Sequence, residues 1–348
     1  MADEVGVGLV GYGMAARVFH APVIGVVPGL KLKKVVERHG GRSRERYPWV
    51  EVVRDVDDLL RDEGVGLVVV ATPNDSHFEL ARRSLLAGKH VVVEKPLTVT
   101  SDEARRLVEL ARERNKILSA HQNRRWDGDF LTVRRLLEAG LLGRLVEFES
   151  RFDRFRDQPR PGAWREAEGP GGGLLYDLGP HLIDQAQVLF GPPRAVTAEV
   201  RIQREFAKAD DNFEVRLDYD GPRVTLKAGM LVRGRSPRFV LHGTQGSFVK
   251  YGLDPQEEAL GRGLTPAEPR WGEEPKESWG ALDAQAGGLH LEARVETVAG
   301  RYQAFYQNLA EAIAGRAAPA VKPEEAWNTM RIIELAFRSS AEGRTISL

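Results

Sequence analysis

A glycine-rich turn that follows the first apolar run constrains the fold of this chain more than any other feature. Residues 5–10 are rich in valine and leucine, as in a buried parallel strand, and residues 11–16 (G-Y-G-M-A-A) fit the pattern G-x-G-x-x-A. Gly11 permits a tight turn, Gly13 lets a pyrophosphate approach the backbone, and Ala16 lets the next helix pack closely on the sheet. The helix N-terminus offers N–H groups to phosphate. The turn therefore predicts dinucleotide binding, with a purely structural turn as the alternative.

The apolar runs that follow this turn alternate with amphipathic segments. Continuous apolar strands separated by helices are typical of a doubly wound parallel α/β sheet, and we predict one over residues 1–123. A helix is expected over 14–27, bent at Pro22, and another is expected to begin at Ser101. The strand candidates after the first are 32–37, 50–53, 65–71, 90–94 and 117–121.

Beyond residue 123 apolar and polar residues alternate, which indicates antiparallel strands with one face exposed to water. Residues 254–290, rich in glycine, proline and charge, predict a long loop or arm. We therefore predict a second, α+β domain over 124–348, with a large, open, mostly antiparallel sheet and helices on one side. Its strand candidates are 145–153, 195–203, 212–218, 223–232 and 238–248, and its helix candidates are 301–315 and 323–342.

The composition excludes several classes of function. The 50 basic residues balance the 50 acidic ones, so nothing favours general binding to nucleic acid or to an anionic membrane. The chain has no cysteine, which excludes disulfides, iron–sulfur clusters and a cysteine nucleophile. The acidic N-terminus is unlike a secretory signal, and no apolar stretch approaches the length of about 18 residues of a membrane span. We expect a cytoplasmic enzyme or binding protein.

The charges after the second strand bear on the choice of dinucleotide. Glu37 is placed to accept hydrogen bonds from a ribose 2′-hydroxyl, which favours NAD, whereas Arg38, Arg42 and Arg44 could hold the 2′-phosphate of NADP. The arginines tilt the prediction slightly toward NADP. A solvated loop without a cofactor role is the alternative.

The ends of the later strands carry polar residues, and in a doubly wound sheet ligands bind at the carboxyl ends of the strands. The fourth strand is followed by residues 72–77 (T-P-N-D-S-H), the fifth by Glu94-Lys95-Pro96 and the sixth by residues 121–126 (H-Q-N-R-R-W). A lysine beside a cationic nicotinamide could exchange a proton with an alcohol. Most lysines are surface residues, which is the alternative for Lys95.

These motifs, in this order and spacing, resemble the glucose–fructose oxidoreductase/inositol dehydrogenase family, also called Gfo/Idh/MocA. Residues 171–184 resemble that family's G-G-G-x-x-x-D-x-G-x-H-x-x-D segment. Residues 123–130, 149–155 and 251–257 resemble a branch that includes scyllo-inositol dehydrogenases. The resemblance implies an N-terminal Rossmann domain, NAD or NADP as cofactor, and reversible hydride transfer to or from a secondary hydroxyl of an inositol or sugar.

The resemblance also implies roles for individual residues. Lys95 corresponds to the active-site lysine, often followed by a cis peptide bond, His181 to the catalytic histidine and Asp177 to its acidic companion; which of Lys95 and His181 is the immediate base stays open. By spacing, Asp177, His181 and Asp184 share one helical face. The predicted cofactor-binding residues are Gly11, Gly13, Met14, Ala16, Glu37, Arg38, Thr72, Pro73, Asn74, His77, Glu94, Lys95 and Asn123. The predicted substrate-binding residues are Lys95, Arg125, Trp126, Tyr176, Asp177 and His181.

Three other interpretations stay open. A metal could bind to Asp177, His181 and Asp184. No fourth ligand is evident, and the family that the chain resembles works without a metal, so we expect no metal ion. The chain could be an NAD(P)-binding regulatory protein without turnover, or an NAD-assisted glycoside hydrolase. The resemblance further implies a homo-oligomer, commonly a dimer through the open sheet face.

Overall fold

The computed structural model describes residues 4–160, 162–166, 168, 169 and 171–348. Its contacts divide the chain into two compact units. The first unit contains the chain up to residue 126 together with 256–271 and 301–327, and the second contains 127–255, 272–300 and 328–348. Two segments of the predicted second domain therefore pack with the first unit. The functional division between 1–123 and 124–348 stays a prediction.

The sheet of the first unit has six parallel strands in the order β3-β2-β1-β4-β5-β6. Because each parallel connection needs a crossover, this order confirms the doubly wound α/β sheet. The strands are β1 Val5–Val10, β2 Leu30–Val36, β3 Glu51–Val53, β4 Leu67–Val70, β5 His90–Val93 and β6 Leu118–Ala120.

Ten α-helices occur in the described part of the chain. They are α1 Ala21–Ile24, α2 Ser43–Arg46, α3 Val56–Leu60, α4 His77–Leu86, α5 Ser101–Glu113, α6 Gly128–Glu138, α7 Leu174–Phe190, α8 Gln256–Gly261, α9 Gln303–Ile313 and α10 Pro323–Glu342.

The helices predicted to begin at Met14 and at Ser101 do begin there, but two details differ from the sequence prediction. The helix after β1 is a π-helix over Ala16–His20 that continues into α1, where Pro22 lies in the first turn; a first-turn proline needs no amide hydrogen, so it does not break α1. The N-cap of α5 is Thr100, not Ser101. Thr100 accepts from the N–H of Glu103, whose carboxylate reaches back to Thr100 N and so completes a capping box.

The sheet of the second unit has nine strands in the order β14-β13-β12-β11-β7-β10-β9-β8-β15. All neighbouring strands are antiparallel except β7 and β10, which confirms a mostly antiparallel sheet. The strands are β7 Leu145–Arg151, β8 Ala195–Arg201, β9 Asn212–Asp218, β10 Arg223–Gly229, β11 Pro237–Gly243, β12 Gly246–Tyr251, β13 Gly280–Ala286, β14 Leu289–Val295 and β15 Ile346–Ser347.

Two predictions for the second half of the chain are wrong. The single strand over 238–248 is a hairpin of β11 and β12, separated by residues 244 and 245. The loop predicted over 254–290 contains α8, β13 and the start of β14. Gly287 and Gly288 both have positive φ in the tight turn between β13 and β14, so glycines that suggested a loop instead join two strands.

The packing in the core of the first unit explains why most of its strands are continuous apolar runs in the sequence. Leu9, Val69 and Val92 are fully buried in the sheet, and Phe305 and Tyr306 of α9 belong to the same cluster. Helices on both faces exclude water from both sides of a parallel sheet. Among the described residues, no helix combines the length and the hydropathy that a membrane crossing requires.

Candidate active site

The turn after β1 has the local geometry of a phosphate site. Gly11 has φ +90°, and a Cβ there would lie 2.8 Å from the Ala71 carbonyl oxygen, so only glycine fits. A Cβ on Gly13 would meet no atom within 4 Å, which leaves one side of the backbone open. Met14 is 51% exposed and Ala16 is buried. The first N–H groups of the helix lack intrahelical acceptors, so the turn fits a pyrophosphate.

The Glu37 carboxylate after β2 is already bound by its own loop. It accepts hydrogen bonds from the backbone N–H of Arg42 at 3.0 Å and of Ser43 at 2.9 Å, and from the Ser43 hydroxyl. Glu37 is 6% exposed. Its oxygens are directed to this loop, which limits their capacity to receive a ribose hydroxyl.

Two arginines of the same loop are available to a ligand. Arg38 and Arg42 are both exposed, and no described residue pairs with either guanidinium. The Arg44 guanidinium instead donates to the Val50 carbonyl at 3.3 Å. The loop therefore has two guanidinium groups that can bind a ligand, whereas its carboxylate already accepts hydrogen bonds from the loop itself.

The segment after β4 is tied to the segment after β5 by one histidine. His77 is fully buried, and its ring nitrogens lie 2.8 Å from the Pro96 carbonyl oxygen and 3.0 Å from the Thr72 carbonyl oxygen. Burial lowers the pKa of His77, so the neutral ring donates to one of the two oxygens. His77 thus holds the two loops together, while Asn74 is buried beside it in a single 3-10 turn over Asn74–Ser76.

The segment after β5 contains Glu94 and Lys95, and the Lys95–Pro96 bond is cis. One Glu94 oxygen, Oε1, lies 2.8 Å from His20 Nε2 and 2.9 Å from His121 Nδ1. Burial alone would raise the pKa of Glu94, but the hydrogen bonds from His121 and His20 outweigh it and hold that pKa well below its usual range. The ionised form of Glu94 is therefore favoured next to Lys95.

His20 and His121 were not among the predicted site residues. His121 could have been found, because it follows β6 directly at the ligand-binding edge of the sheet. His20 carries no comparable signal. It lies in the π-helix, and only the three-dimensional structure brings it to Glu94.

The residues after β6 form a 3-10 turn over Asn123–Trp126, and Asn123 is buried. Arg125 donates to the Ala320 carbonyl at 2.6 Å and to the Glu325 carboxylate at 2.7 Å. The Trp126 ring packs edge-on against Phe305, with 5.8 Å between centroids. These contacts lie inside the first unit, so a substrate role for Arg125 and Trp126 stays a prediction.

In the second unit, α7 carries the predicted catalytic pair. His181 is 5% exposed and Asp184 is 1% exposed. The Asp177 carboxylate lies 3.3 Å from Arg165 Nε and 3.7 Å from Arg154 Nη1, so two guanidinium groups balance its charge. The Tyr176 ring stacks on Phe337, with 5.6 Å between centroids.

A half-buried aspartate that the sequence analysis missed caps the start of α7. Asp210 Oδ2 accepts from the N–H of Leu175 at 2.7 Å, and its carbonyl accepts from the N–H of Leu174 at 2.8 Å. Gly173 has φ +91°, and a Cβ there would lie 1.8 Å from Asp210 Oδ1. Within the described structure, Gly173 is therefore required by this cap.

Comparison with known proteins now gives the family. Residues 5–122 match the profile described as the oxidoreductase family NAD-binding Rossmann fold, and residues 134–348 match that family's C-terminal alpha/beta domain. The chain belongs to the Gfo/Idh/MocA oxidoreductase family. Its first unit is accordingly an NAD(P)-binding Rossmann unit.

Individual members of the Gfo/Idh/MocA family match the whole chain. The uncharacterized oxidoreductase YdgJ of Escherichia coli is 43% identical over 348 residues, which cover 100% of both chains. The scyllo-inositol 2-dehydrogenase (NADP(+)) IolW of Bacillus subtilis is 40% identical and covers 99% of this chain and 96% of its own. The solved structure of the oxidoreductase YvaA from Bacillus subtilis has a TM-score of 0.96 at 40% identity, covering 100% of this chain and 99% of its own.

Proposed function

We propose that this protein is an NADP-dependent dehydrogenase that interconverts a secondary alcohol and a ketone on an inositol or a sugar. The observation that carries the proposal is Lys95, which lies two residues after the buried strand β5, at the carboxyl ends of the strands, where a Rossmann unit binds its dinucleotide. The similarity to IolW over nearly the full chain supports the substrate class.

The chain's own residues supply the binding and proton chemistry. Gly11, Gly13 and the following helix N-terminus hold the pyrophosphate, and the bound nicotinamide supplies the site that accepts or donates hydride. Lys95 and His181 are the groups that take or return the hydroxyl proton. Asp177, with its charge balanced by Arg154 and Arg165, orients His181 on the same helix.

The preference for NADP is supported by the loop after β2. The Glu37 carboxylate is already satisfied by Arg42 N and Ser43 N, whereas the exposed guanidinium groups of Arg38 and Arg42 match a phosphate. Guanidinium groups bind phosphate in a bidentate geometry that a ribose hydroxyl cannot offer. The printed name of IolW, which includes NADP(+), is consistent with this preference.

The proposal is tested by absorbance of reduced nicotinamide with a panel of inositols and sugars. We expect NADPH to accumulate with at least one polyol, and Lys95→Ala and His181→Ala to lower kcat by about 100-fold or more while changing the Kd for NADPH by about threefold or less. If both groups serve one proton-transfer step, the double variant is no slower than the slower single variant.

Three results would contradict the proposal. Cofactor binding with no turnover on any polyol would favour a regulatory binder. Cleavage of a glycoside without accumulation of NADPH would favour the NAD-assisted hydrolase. Equal loss of cofactor binding and of turnover in both single variants would remove the assigned roles of Lys95 and His181.

A further inference from the structure

Next to Lys95, the first unit contains a buried chain of side chains that the proposed reaction does not use directly. Glu94 follows β5, His121 follows β6, His20 ends the π-helix and Tyr306 lies in α9. His20 and Tyr306 are fully buried, and His121 is 3% exposed. Side chains from three other elements are therefore linked to Glu94, the residue that precedes Lys95.

The carboxylate determines how the protons are arranged. A carboxylate only accepts hydrogen bonds, so His20 Nε2 and His121 Nδ1 both donate to Glu94 Oε1. Burial and the charge of His121 lower the pKa of His20 to about 4, so His20 is neutral near pH 7 and its Nδ1 accepts. Tyr306 then donates its hydroxyl hydrogen to His20 Nδ1, at 2.6 Å.

The second oxygen of Glu94 connects this chain of hydrogen bonds to the backbone. Oε2 accepts from the backbone N–H of Lys95 at 3.1 Å. The His20 and His121 rings are 4.2 Å apart between centroids, and Phe305 packs edge-on against His121 at 4.9 Å. The rings are closely packed, so the carboxylate they hold has a fixed orientation.

A metal ion is the alternative occupant of this cluster, because His20, Glu94 and His121 offer three ligand atoms that lie close together. The distances of 2.8 and 2.9 Å from the ring nitrogens to the same oxygen are those of hydrogen bonds. A metal would replace both ring protons and break both contacts. The geometry therefore favours a closed hydrogen-bond network.

We propose that Tyr306, His20 and His121 are positioning residues that hold the Glu94 carboxylate against the backbone N–H of Lys95. They thereby fix the position of the Lys95 backbone, and with it the starting point of the Lys95 side chain. The use of Lys95 in proton transfer rests on the proposed function, whereas the positioning itself does not.

Two variants and one control test this role. Tyr306→Phe removes only the hydroxyl that donates to His20, and Glu94→Gln keeps the shape of the side chain but loses one of its acceptor oxygens. Tyr47→Phe is the matched control, because the buried Tyr47 hydroxyl has no hydrogen-bond partner among the described residues. Thermal unfolding verifies that each variant is folded.

The first measurement needs neither cofactor nor substrate. An amine-reactive reagent is applied at fixed pH, and mass spectrometry of peptides follows the modification of Lys95 relative to Lys31, whose side chain is 58% exposed. We expect Tyr306→Phe and Glu94→Gln to change the Lys95 rate by about threefold or more, and Tyr47→Phe to leave it unchanged. Equal rates in the wild type and in both network variants would overturn the inference.

The second measurement separates kcat from KM. We expect Tyr306→Phe to lower kcat by about tenfold, with KM and the Kd for NADPH within about twofold, because a displaced lysine slows the step without weakening binding, and we expect Glu94→Gln to lower kcat by about 100-fold. An unchanged kcat in both variants would contradict the positioning role. If the wild type turns over no polyol, the proposed function fails, and the modification rates still decide the inference.

Discussion

Glu37 is an acidic residue of the type that favours NAD, but its carboxylate binds its own loop instead of being available to a ribose. A carboxylate after the second strand is a recognition element for the ribose diol only if its oxygens are available. Here the backbone N–H groups of Arg42 and Ser43 occupy them, so Glu37 shapes the loop that presents Arg38. The sequence alone left this conflict open, because it shows the charge but not its partner.

We expect Arg38→Ala and Arg42→Ala each to weaken NADPH binding by about 10- to 100-fold while leaving NADH binding nearly unchanged, since a charged hydrogen bond to phosphate is worth about 1.5–3 kcal/mol. Fluorescence titration of both cofactors measures this. Arg61→Ala is the control, because the Arg61 side chain is 73% exposed and pairs with Asp58 on the same helical turn. Equal affinity of the wild type for NADH and NADPH would sink the prediction.

At the scale of elements, the sequence predicted the strands of the first unit because most of them are continuous apolar runs, and several strands of the second unit because apolar and polar residues alternate along them. Glu94 and Lys95 were predicted as site residues because they follow one of the continuous apolar runs. The hairpin of β13 and β14 was missed because its polar composition resembles a loop. Tyr306 was missed because 286 residues separate it from His20, and no local pattern encodes so distant a contact.

The helix α7 depends on a cap that lies far from it in the sequence. Asp210→Ala leaves the N–H of Leu175 without its side-chain acceptor, which costs about 1–2 kcal/mol. We expect thermal unfolding several degrees lower and a reduced kcat, because Asp177 lies in the first turn of α7. Asp220→Ala, at a side chain that is 86% exposed, is the control. An unchanged unfolding temperature in Asp210→Ala would contradict the capping role.

At the scale of the whole molecule, buried histidines link stability to pH. Burial lowers the pKa of His20 and of His90 to about 4, and it also lowers the pKa of His77. Below about pH 6.5 these histidines bind protons in the unfolded chain but not in the folded chain. Their contribution to the free energy of unfolding is therefore full above that pH and is lost as the pH falls toward 4. His20 alone accounts for about 3 kcal/mol over this window.

Among the described residues two carboxyl groups, those of Asp210 and Glu274, oppose this trend, because burial raises the pKa of each. Burial raises the pKa of Asp210 to about 6, so its contribution is present at low pH and is lost as the pH rises through 6. The three histidines outweigh these two carboxyl groups, and we expect the urea midpoint to fall steadily from pH 7 to pH 5. His90→Asn, which does not titrate, should flatten part of that curve. A midpoint that is constant over this range would rule out the linkage.

The oligomeric state implied by the family resemblance stays a prediction at this scale. On β7, β9 and β10, several of the residues that alternate with the buried core positions are charged. Glu149 pairs with Arg151 and with Lys227, and Lys227 pairs with Glu214. A partner covering this part of the sheet would therefore meet ion pairs rather than an apolar patch.

The π-helix after the phosphate turn makes the spacing of this segment intolerant of insertions and deletions. The N–H of Ala21 bonds to the Ala16 carbonyl, one residue further back than in an α-helix. Deleting one residue between Ala16 and His20 would restore ordinary helical winding and rotate the histidine by about 100°. Such a deletion would leave the glycine turn intact but would remove the hydrogen bond between His20 and Glu94. A segment transplanted into this position should therefore keep the spacing from the glycines to His20.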